Sequence, residues 1–387
     1  MRYLHILIIV FIIITGSCKE EVLPSINIKK EGTIEWKFKE PCKIVYTDNL
    51  GEVESDAKIK CRGGMSSRYY KHSFSLELEK KLSICNLPID DDWILNANYI
   101  DKTFMRHKIS YDLFRQMSHK NIASKSSYLN VSINDNYHGL YLVMEEINAS
   151  MIGLSKKDSL EMLFKDPPIF YQEKLSFVQD SLNYFQQKYP KIEDSDKTYY
   201  IERFIDFLFN TTDSSFAKCI SDWVDIENVI DWHIILLFSN NGDGITKNFY
   251  LYKLNSQTPF RFAIWDYDHS FGRAGDNELN MAEKVLNWKR SILLQRLYQI
   301  PDIGYIPKLK KRWIELRDLK IISVENFKRH IYENDKIINK AVKDNFIKWP
   351  VDSKWYYDNI NYQQEIDLML KFVVQRVKEL DDYINSL

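Results

Sequence analysis

The sequence predicts an α+β fold of two lobes, a β-rich N-terminal lobe followed by a mainly helical C-terminal lobe, and three observations carry that expectation. Phe74, Leu76 and Leu78 alternate with Ser73, Ser75 and Glu77, and Lys58-Ile59-Lys60-Cys61 alternates more briefly, the two-residue period of half-buried strands. Met105, Ile109, Leu113 and Met117 fall every fourth residue behind Asp101, a residue able to cap a helix, and give one apolar stripe that should face the sheet. Ile226 to Phe238 is too apolar all round for a surface helix and should be buried.

In chain order, residues 25–80 read as strands, and Arg62-Gly63-Gly64-Met65-Ser66-Ser67-Arg68 is a glycine and hydroxyl turn between two of them. After the Asp101 helix, Leu129, Val131 and Ile133 alternate up to Asn134-Asp135-Asn136, and Tyr137 to Glu145 returns as the second strand of a hairpin. Residues 148–220 are polar, carry Pro167-Pro168 and suggest helices joined by long loops. The buried helix then fixes a loop, Asn240 to Asn248, at its C-terminal end. Phe249 to Tyr252 and Phe260 to Trp265 form two strands around Asn255-Ser256-Gln257-Thr258-Pro259, which leaves Asp266 just past a strand end. Beyond residue 285 the pattern is helical: Leu293, Leu294, Leu297 and Ile300, then Trp313, Leu316 and Leu319, and an amphipathic helix around 362–384. Strands with a glycine turn, a helix, a hairpin and a helical half with acidic loops follow the bilobal order of a protein kinase. The N-lobe is placed at about 31–147 and the C-lobe at about 148–387.

A chain of 387 residues, 45% hydrophobic and 14% aromatic, can bury a large core. Its 53 basic and 54 acidic residues give a net charge of −1, so no global field draws it to nucleic acid or to an anionic membrane surface. The first residues look like an address. Arg2 precedes an unbroken apolar run, Ile6 to Ile14, too short to span a bilayer, which reads as a signal peptide over residues 1–17. Thr15-Gly16-Ser17-Cys18 resembles a bacterial lipobox with Thr15 in place of the usual leucine, so Cys18 would be lipidated and residues 18–30 would form a linker. An ordinary secretory signal before a cysteine is the alternative. Lys19-Glu20-Glu21 resembles surface-export signals of some lipoproteins, and a solvated linker would look the same; the outer membrane is the expected location, with either face open. Of the remaining cysteines, Cys42, Cys61, Cys85 and Cys219, none lies in a CxxC or Cys/His cluster, so disulfides or buried thiols are expected, not a zinc site.

The chemistry concentrates in Asn240-Asn241-Gly242-Asp243-Gly244-Ile245-Thr246-Lys247-Asn248 and Trp265-Asp266-Tyr267-Asp268-His269-Ser270-Phe271-Gly272. Phosphoryl transfer needs metal to neutralise phosphates, a basic group to hold them and a carboxylate to orient the attacking hydroxyl. Magnesium or manganese wants hard oxygen donors, which suits Asp266 with Asn248, and Asp268 beside them. Asp243 precedes Asn248 by five positions, the kinase spacing of catalytic aspartate to metal-binding asparagine, and Asp266 follows across a hairpin near Phe271-Gly272. Each residue alone could serve an Asx turn or a cap; order, spacing and element context together favour a site. Asp266-x-Asp268 lacks the glycine and distal glutamate of a calcium loop. The turn Arg62 to Ser67 offers backbone N–H groups and hydroxyls to phosphates, with Lys71 in reach, although a hairpin turn with a solvated lysine has the same residues.

From about Lys58 to the last helices the chain resembles the spore coat protein H (CotH) kinase family of atypical protein kinases. Four blocks carry the resemblance: Arg62-Gly63-Gly64-Met65-Ser66-Ser67 with Lys71 and Phe74; Trp93 to Thr103 with Met105-Arg106; Tyr137-His138-Gly139-Leu140-Tyr141 with Glu145; and Asn241-x-Asp243 to Asn248 with Trp265-Asp266-Tyr267-Asp268-x-x-Phe271-Gly272. The resemblance implies ATP-dependent phosphorylation of serine or threonine in a protein acceptor. Asp243 would be the catalytic base, and Asp266 with Asn248 would hold Mg2+ or Mn2+. Lys71 would pair with the nucleotide phosphates, Arg62, Ser66 and Ser67 would lie over the nucleotide, and Glu145 would lie near the lobe junction. Arg106 has no role derivable from its position. A lipoprotein meets little ATP outside the cytoplasm, so the alternative is a surface binding or adhesion module that keeps the fold without turnover.

Overall fold

Alternation decides the N-terminal half. In the computed structural model, which describes residues 22–169, 185–273, 286, 288–350 and 359–387, the strands are β1 (Ser25–Lys29), β2 (Glu40–Asp48), β3 (Gly51–Arg62), β4 (Ser73–Leu82), β5 (Asp90–Asn96), β6 (Ser126–Ile133) and β7 (Asn136–Glu145). They close into a barrel in the order β1-β2-β3-β4-β5-β7-β6. Every second residue points inward, so Ile26, Ile28, Ile44, Ile59, Leu76 and Val143 share one core, and closure leaves no strand edge to aggregate. The β6–β7 turn places Asn134 and Asp135 at φ 50° and 67°, both left-handed, as a two-residue hairpin turn requires. One boundary needs correcting. β1 lies in the stretch assigned to a linker ending at residue 30, yet it pairs antiparallel with β2 and parallel with β6 and closes the barrel. The signal peptide and Cys18 lie outside the described residues.

The C-terminal half is helical around a small sheet. α1 (Arg106–Met117) leaves the barrel, and after α2 (Ala149–Ile152) the chain forms β8 (Met162–Lys165) and β9 (Gln186–Tyr189). Then come α3 (Thr198–Asn210), α4 (Asp213–Trp223), α5 (Ile226–Ser239), β10 (Phe249–Lys253) and β11 (Arg261–Ile264). The helices α6 (Ile292–Gln299), α7 (Tyr305–Asp318), α8 (Val324–Lys348) and α9 (Tyr362–Ser386) complete the chain. The second sheet has the order β11-β10-β8-β9, so the polar region read as helices and loops supplies two of its four strands. Their alternation is too short to register in the sequence: β8 is four residues and buried at three of them.

α5 behaves as its composition demands. Asp225 caps it by accepting the Asn228 N–H at 3.0 Å, every residue from Ile226 to Ser239 except Glu227 is buried, and Asn240 ends it in the left-handed region at φ 57°. α1 is buried on more than one stripe. Its apolar residues share a core with Tyr128, Leu140 and Leu142 on the barrel's outer surface, and the helix also contacts α5 and α8. Asp101 tends its first turn from outside, with Oδ2 accepting the Arg106 N–H at 2.9 Å.

Arg106 explains how the halves are joined. Its side chain is fully buried and reaches Asp101 Oδ1 at 2.6 Å, Glu365 Oε1 at 2.7 Å and the Ser270 carbonyl at 2.8 Å. Arg273 completes the cluster on Glu365 at 2.8 and 2.5 Å. Burial opposes ionisation of Glu365, but Arg106 and Arg273 overcome it and hold the carboxyl below its ordinary range. α1, the loop after β11 and α9 are thereby pinned at one point.

Candidate active site

Two loops converge on one backbone carbonyl. The loop after α5 brings the Asn241 Nδ2 to the Asp266 carbonyl at 3.3 Å, and the Asn248 Nδ2 reaches the same oxygen at 3.4 Å. Asn241 also accepts the Gly244 N–H at 3.1 Å; a Cβ on Gly244 would come within 2.5 Å of the Leu236 Cδ2 methyl, so a larger residue there must displace that side chain. Asn240, Asn248 and Asp266 all have left-handed backbones, at φ 57°, 63° and 58°. Three non-glycine residues in that region concentrate strain where the loops meet, a state that persists only when the surroundings hold it.

The surroundings do hold it. Asp166, which follows β8 with φ 49°, accepts the Asn248 N–H at 2.7 Å and the Phe249 N–H at 3.4 Å. From α1, the Tyr111 hydroxyl accepts the Asp266 N–H at 3.0 Å and His107 Nδ1 accepts the Tyr267 N–H at 2.9 Å. Ligand atoms of His107, Asp266 and Asp268 lie within 4.8 Å of one another. The hydrogen bond from Tyr267 decides what His107 does there. A neutral imidazole that accepts at Nδ1 carries its proton on Nε2, and Nε2 faces Asp266 Oδ1 at 3.7 Å. His107 therefore presents N–H, not a lone pair, to the cluster and supports Asp266 instead of ligating a metal beside it.

The electrostatics leave a deficit of positive charge. Burial, then the charge of Asp268, push the Asp266 carboxyl above its ordinary range, against His107, His269 and Lys165. The side chain stands in a cleft, walled by protein yet 47% open to solvent. Asp166 is likewise pushed up by burial, against Lys165 and its two backbone donors. Asp266, Asp268 and the Asn248 amide oxygen are hard donors, and surplus negative charge in a cleft is what a divalent cation relieves; the residues fit such an ion.

The other residues expected at the site divide. Asp243 opens a short turn in the same loop, with its carboxylate 3.1 Å from Lys247. The Arg62 guanidinium lies 5.5 Å from the ring of Trp265, the residue before Asp266. Ser66 and Ser67 sit in the turn Met65–Arg68, where Ser67 Oγ donates to the Gly64 carbonyl at 2.7 Å and no hydrogen bond leads to the acidic loops among the described residues. Lys71 does not face the cleft as the family resemblance implied. It is 1% exposed, its Nζ donates to the carbonyls of Ala97 (2.8 Å) and Leu140, and it lies 4.3 Å from the Tyr141 ring centroid. Burial pushes its ammonium well below the usual lysine range. Glu145 ends β7, where the chain leaves the barrel, and accepts the Lys125 N–H at 2.8 Å. Its neighbour Glu146, just past the end of β7, lies 3.2 Å from Lys188 and in the field of Arg62.

His107, Tyr111, Lys165 and Asp166 were not singled out from the sequence. His107 and Tyr111 are four apart on one helix face, and their rings stack at 5.8 Å, a spacing visible beforehand. Lys165 and Asp166 sit at the end of a strand that the sequence did not reveal. The four cysteines expected in bridges or as thiols are all free, Cys42 and Cys61 buried in the barrel.

The sequence model of a family described as CotH kinase protein matches residues 59–380. Over 306 residues the chain is 24% identical to the inner spore coat protein H of Bacillus subtilis (strain 168), covering 76% of this chain and 78% of that protein. The crystal structure of the Helicobacter pylori proinflammatory kinase CtkA aligns over 83% of this chain and 100% of that one at 9% identity, with a TM-score of 0.24.

Proposed function

Because the chain belongs to the CotH kinase protein family, we propose that it transfers a phosphoryl group from a complex of ATP or another nucleotide with Mg2+ or Mn2+ to serine or threonine of an envelope or extracellular protein. The observation that supports this most is the meeting of Asn241 and Asn248 at the Asp266 carbonyl, because it puts a catalytic loop and a metal loop in one place. Asn248, Asp266 and Asp268 hold the cation, which supplies neutralisation of the phosphate charge. Asp243 orients the acceptor hydroxyl and takes its proton. Asp166, Tyr111 and His107 fix the loops through their backbone N–H groups, so that no reorganisation is needed when the donor arrives. The chain works at the outer membrane, held by a lipid on Cys18.

The test is a transfer assay on the soluble form beginning after Cys18, with γ-labelled ATP, Mg2+ or Mn2+, and an envelope protein fraction, read by phosphoserine and phosphothreonine detection. Incorporation should fall roughly 10²-fold or more in Asp243→Asn and Asp266→Asn and persist in Glu202→Ala, an exposed helix position. Incorporation that is equal in all four proteins would sink the assignment. The burial of Lys71 favours a second reading, a surface binding or adhesion lipoprotein that keeps the fold without turnover. On that reading the wild type transfers nothing, yet a partner still binds to Asp266→Asn.

A further inference from the structure

A phosphoryl donor needs a cation on its phosphates besides the metal, and Lys71 cannot supply it from its place in the barrel. Freeing that ammonium would leave the carbonyls of Ala97 and Leu140 without a donor and open space among Phe104 and Tyr141. The second sheet offers another lysine. In its register Lys165 on β8 lies directly opposite Tyr250 on β10, and residues so paired project from the same face. Tyr250 packs edge-on against Trp265 at 5.7 Å, and Arg62 lies on that same indole at 5.5 Å. Lys165, Tyr250, Trp265 and Arg62 thus form a continuous row, with a cation at each end and Asp266 following the indole in sequence.

Lys165 is also tied to Asn248, another metal-ligand candidate. The next residue, Asp166, holds the Asn248 N–H with Oδ1, and its Oδ2 is 4.0 Å from Lys165 Nζ, beyond hydrogen-bond range. The Lys165 ammonium makes no hydrogen bond among the described residues. Burial lowers its ammonium below the usual lysine range; Arg62 and Lys188 repel it and Asp166 and Asp266 attract it, so it shares a field with both arms of the cleft. A strongly hydrated ammonium in such a place, without a donor–acceptor partner, is matched by a polyanion.

Resting on the phosphoryl-transfer reading, we infer that Lys165, with Arg62 opposite it, is the residue that holds the phosphates of the metal-bound donor, and that Lys71 is a structural cation of the barrel. The recognised chemistry is a chain of phosphates, because the row offers charge to oxygens and shows nothing specific to a base.

Binding distinguishes the two lysines. A fluorescent ATP analogue and, separately, inorganic tripolyphosphate are titrated with Mn2+ into wild type, Lys165→Met, Lys165→Arg and Lys71→Met, with melting curves for each. Lys165→Met should bind both probes at least about 10-fold more weakly with an unchanged melting temperature, and Lys165→Arg should recover most of the affinity. Lys71→Met should melt earlier, while its folded fraction binds as wild type. Undiminished binding by Lys165→Met, or loss confined to folded Lys71→Met, overturns the inference while leaving phosphoryl transfer standing. If wild type binds neither probe, the phosphoryl-transfer reading falls and the inference with it.

Discussion

Arg106 and His107 are neighbours on α1, yet they serve two clusters of opposite character. Around Arg106, Asp101 and Glu365 are matched by Arg106 and Arg273 through four short contacts of 2.5 to 2.8 Å, and every carboxylate is spoken for. Around His107, the imidazole lies 3.7 Å from Asp266 and within 4.8 Å of Asp268, and the charge remains negative. A compensated buried cluster costs little to keep and a great deal to break. An uncompensated one is maintained against its own repulsion, which makes sense where a ligand completes it. Of the two acidic constellations that meet α1, the one at Arg106 is architecture and the one at His107 has the character of a site.

Breaking the first cluster has the largest expected effect. Arg106→Met leaves Asp101 and Glu365 buried with too few donors, and should cost on the order of 3–5 kcal/mol in denaturant unfolding. Asp266→Asn should do the opposite: abolish cation-dependent transfer while leaving stability unchanged or raised by up to about 1 kcal/mol, a modest gain because the side chain is half-open to solvent. A melting-temperature loss in Asp266→Asn as large as that of Arg106→Met would erase the contrast.

Acid sharpens the same comparison. Glu365 is held below its unfolded value, so its contribution is present above about pH 4.3 and is lost as pH falls through the folded pKa. His233, buried on α5 with Nδ1 3.0 Å from the Tyr305 hydroxyl, is lowered by burial to about 3. The unfolded chain takes up that proton from about pH 6.5 downward while the folded chain does not, so stability should fall by about 1.4 kcal/mol per pH unit per such histidine below 6.5. Denaturant midpoints measured from about pH 7 to about pH 3 should decline first through the buried histidine, and Glu365→Gln should blunt only the part below about pH 4.3. The smallest effect belongs to Lys188→Ala: its pair with Glu146 is partly exposed, and unfolding should change by no more than about 1 kcal/mol.

How much of this was legible follows from the range of each interaction. The strands of the barrel, the hairpin turn at Asn134-Asp135, α5 and the strand pair before Asp266 announce themselves within a few residues, by alternation or by an all-round apolar run. The five-residue step from Asp243 to Asn248 and the position of Asp266 were readable for the same reason, and the structure brings Asn248 and Asp266 together. Lys71 was misplaced because strand position alone does not say which end or face of a closed barrel a side chain meets. Lys165 and Asp166 were hidden because β8 is four residues long and its meaning comes from pairing with β10, some 85 positions away in sequence. Arg106 lacked a role because its partner Glu365 lies 259 residues distant.

The central claim is that the His107 cluster awaits a cation and the Arg106 cluster does not. Electron paramagnetic resonance of Mn2+, titrated into the soluble chain with and without ATP, measures this directly. The account predicts saturable Mn2+ binding that tightens with ATP, is lost in Asp266→Asn, and survives in the folded fraction of Glu365→Gln. Mn2+ bound equally by wild type and Asp266→Asn, or bound by neither with ATP present, would contradict it.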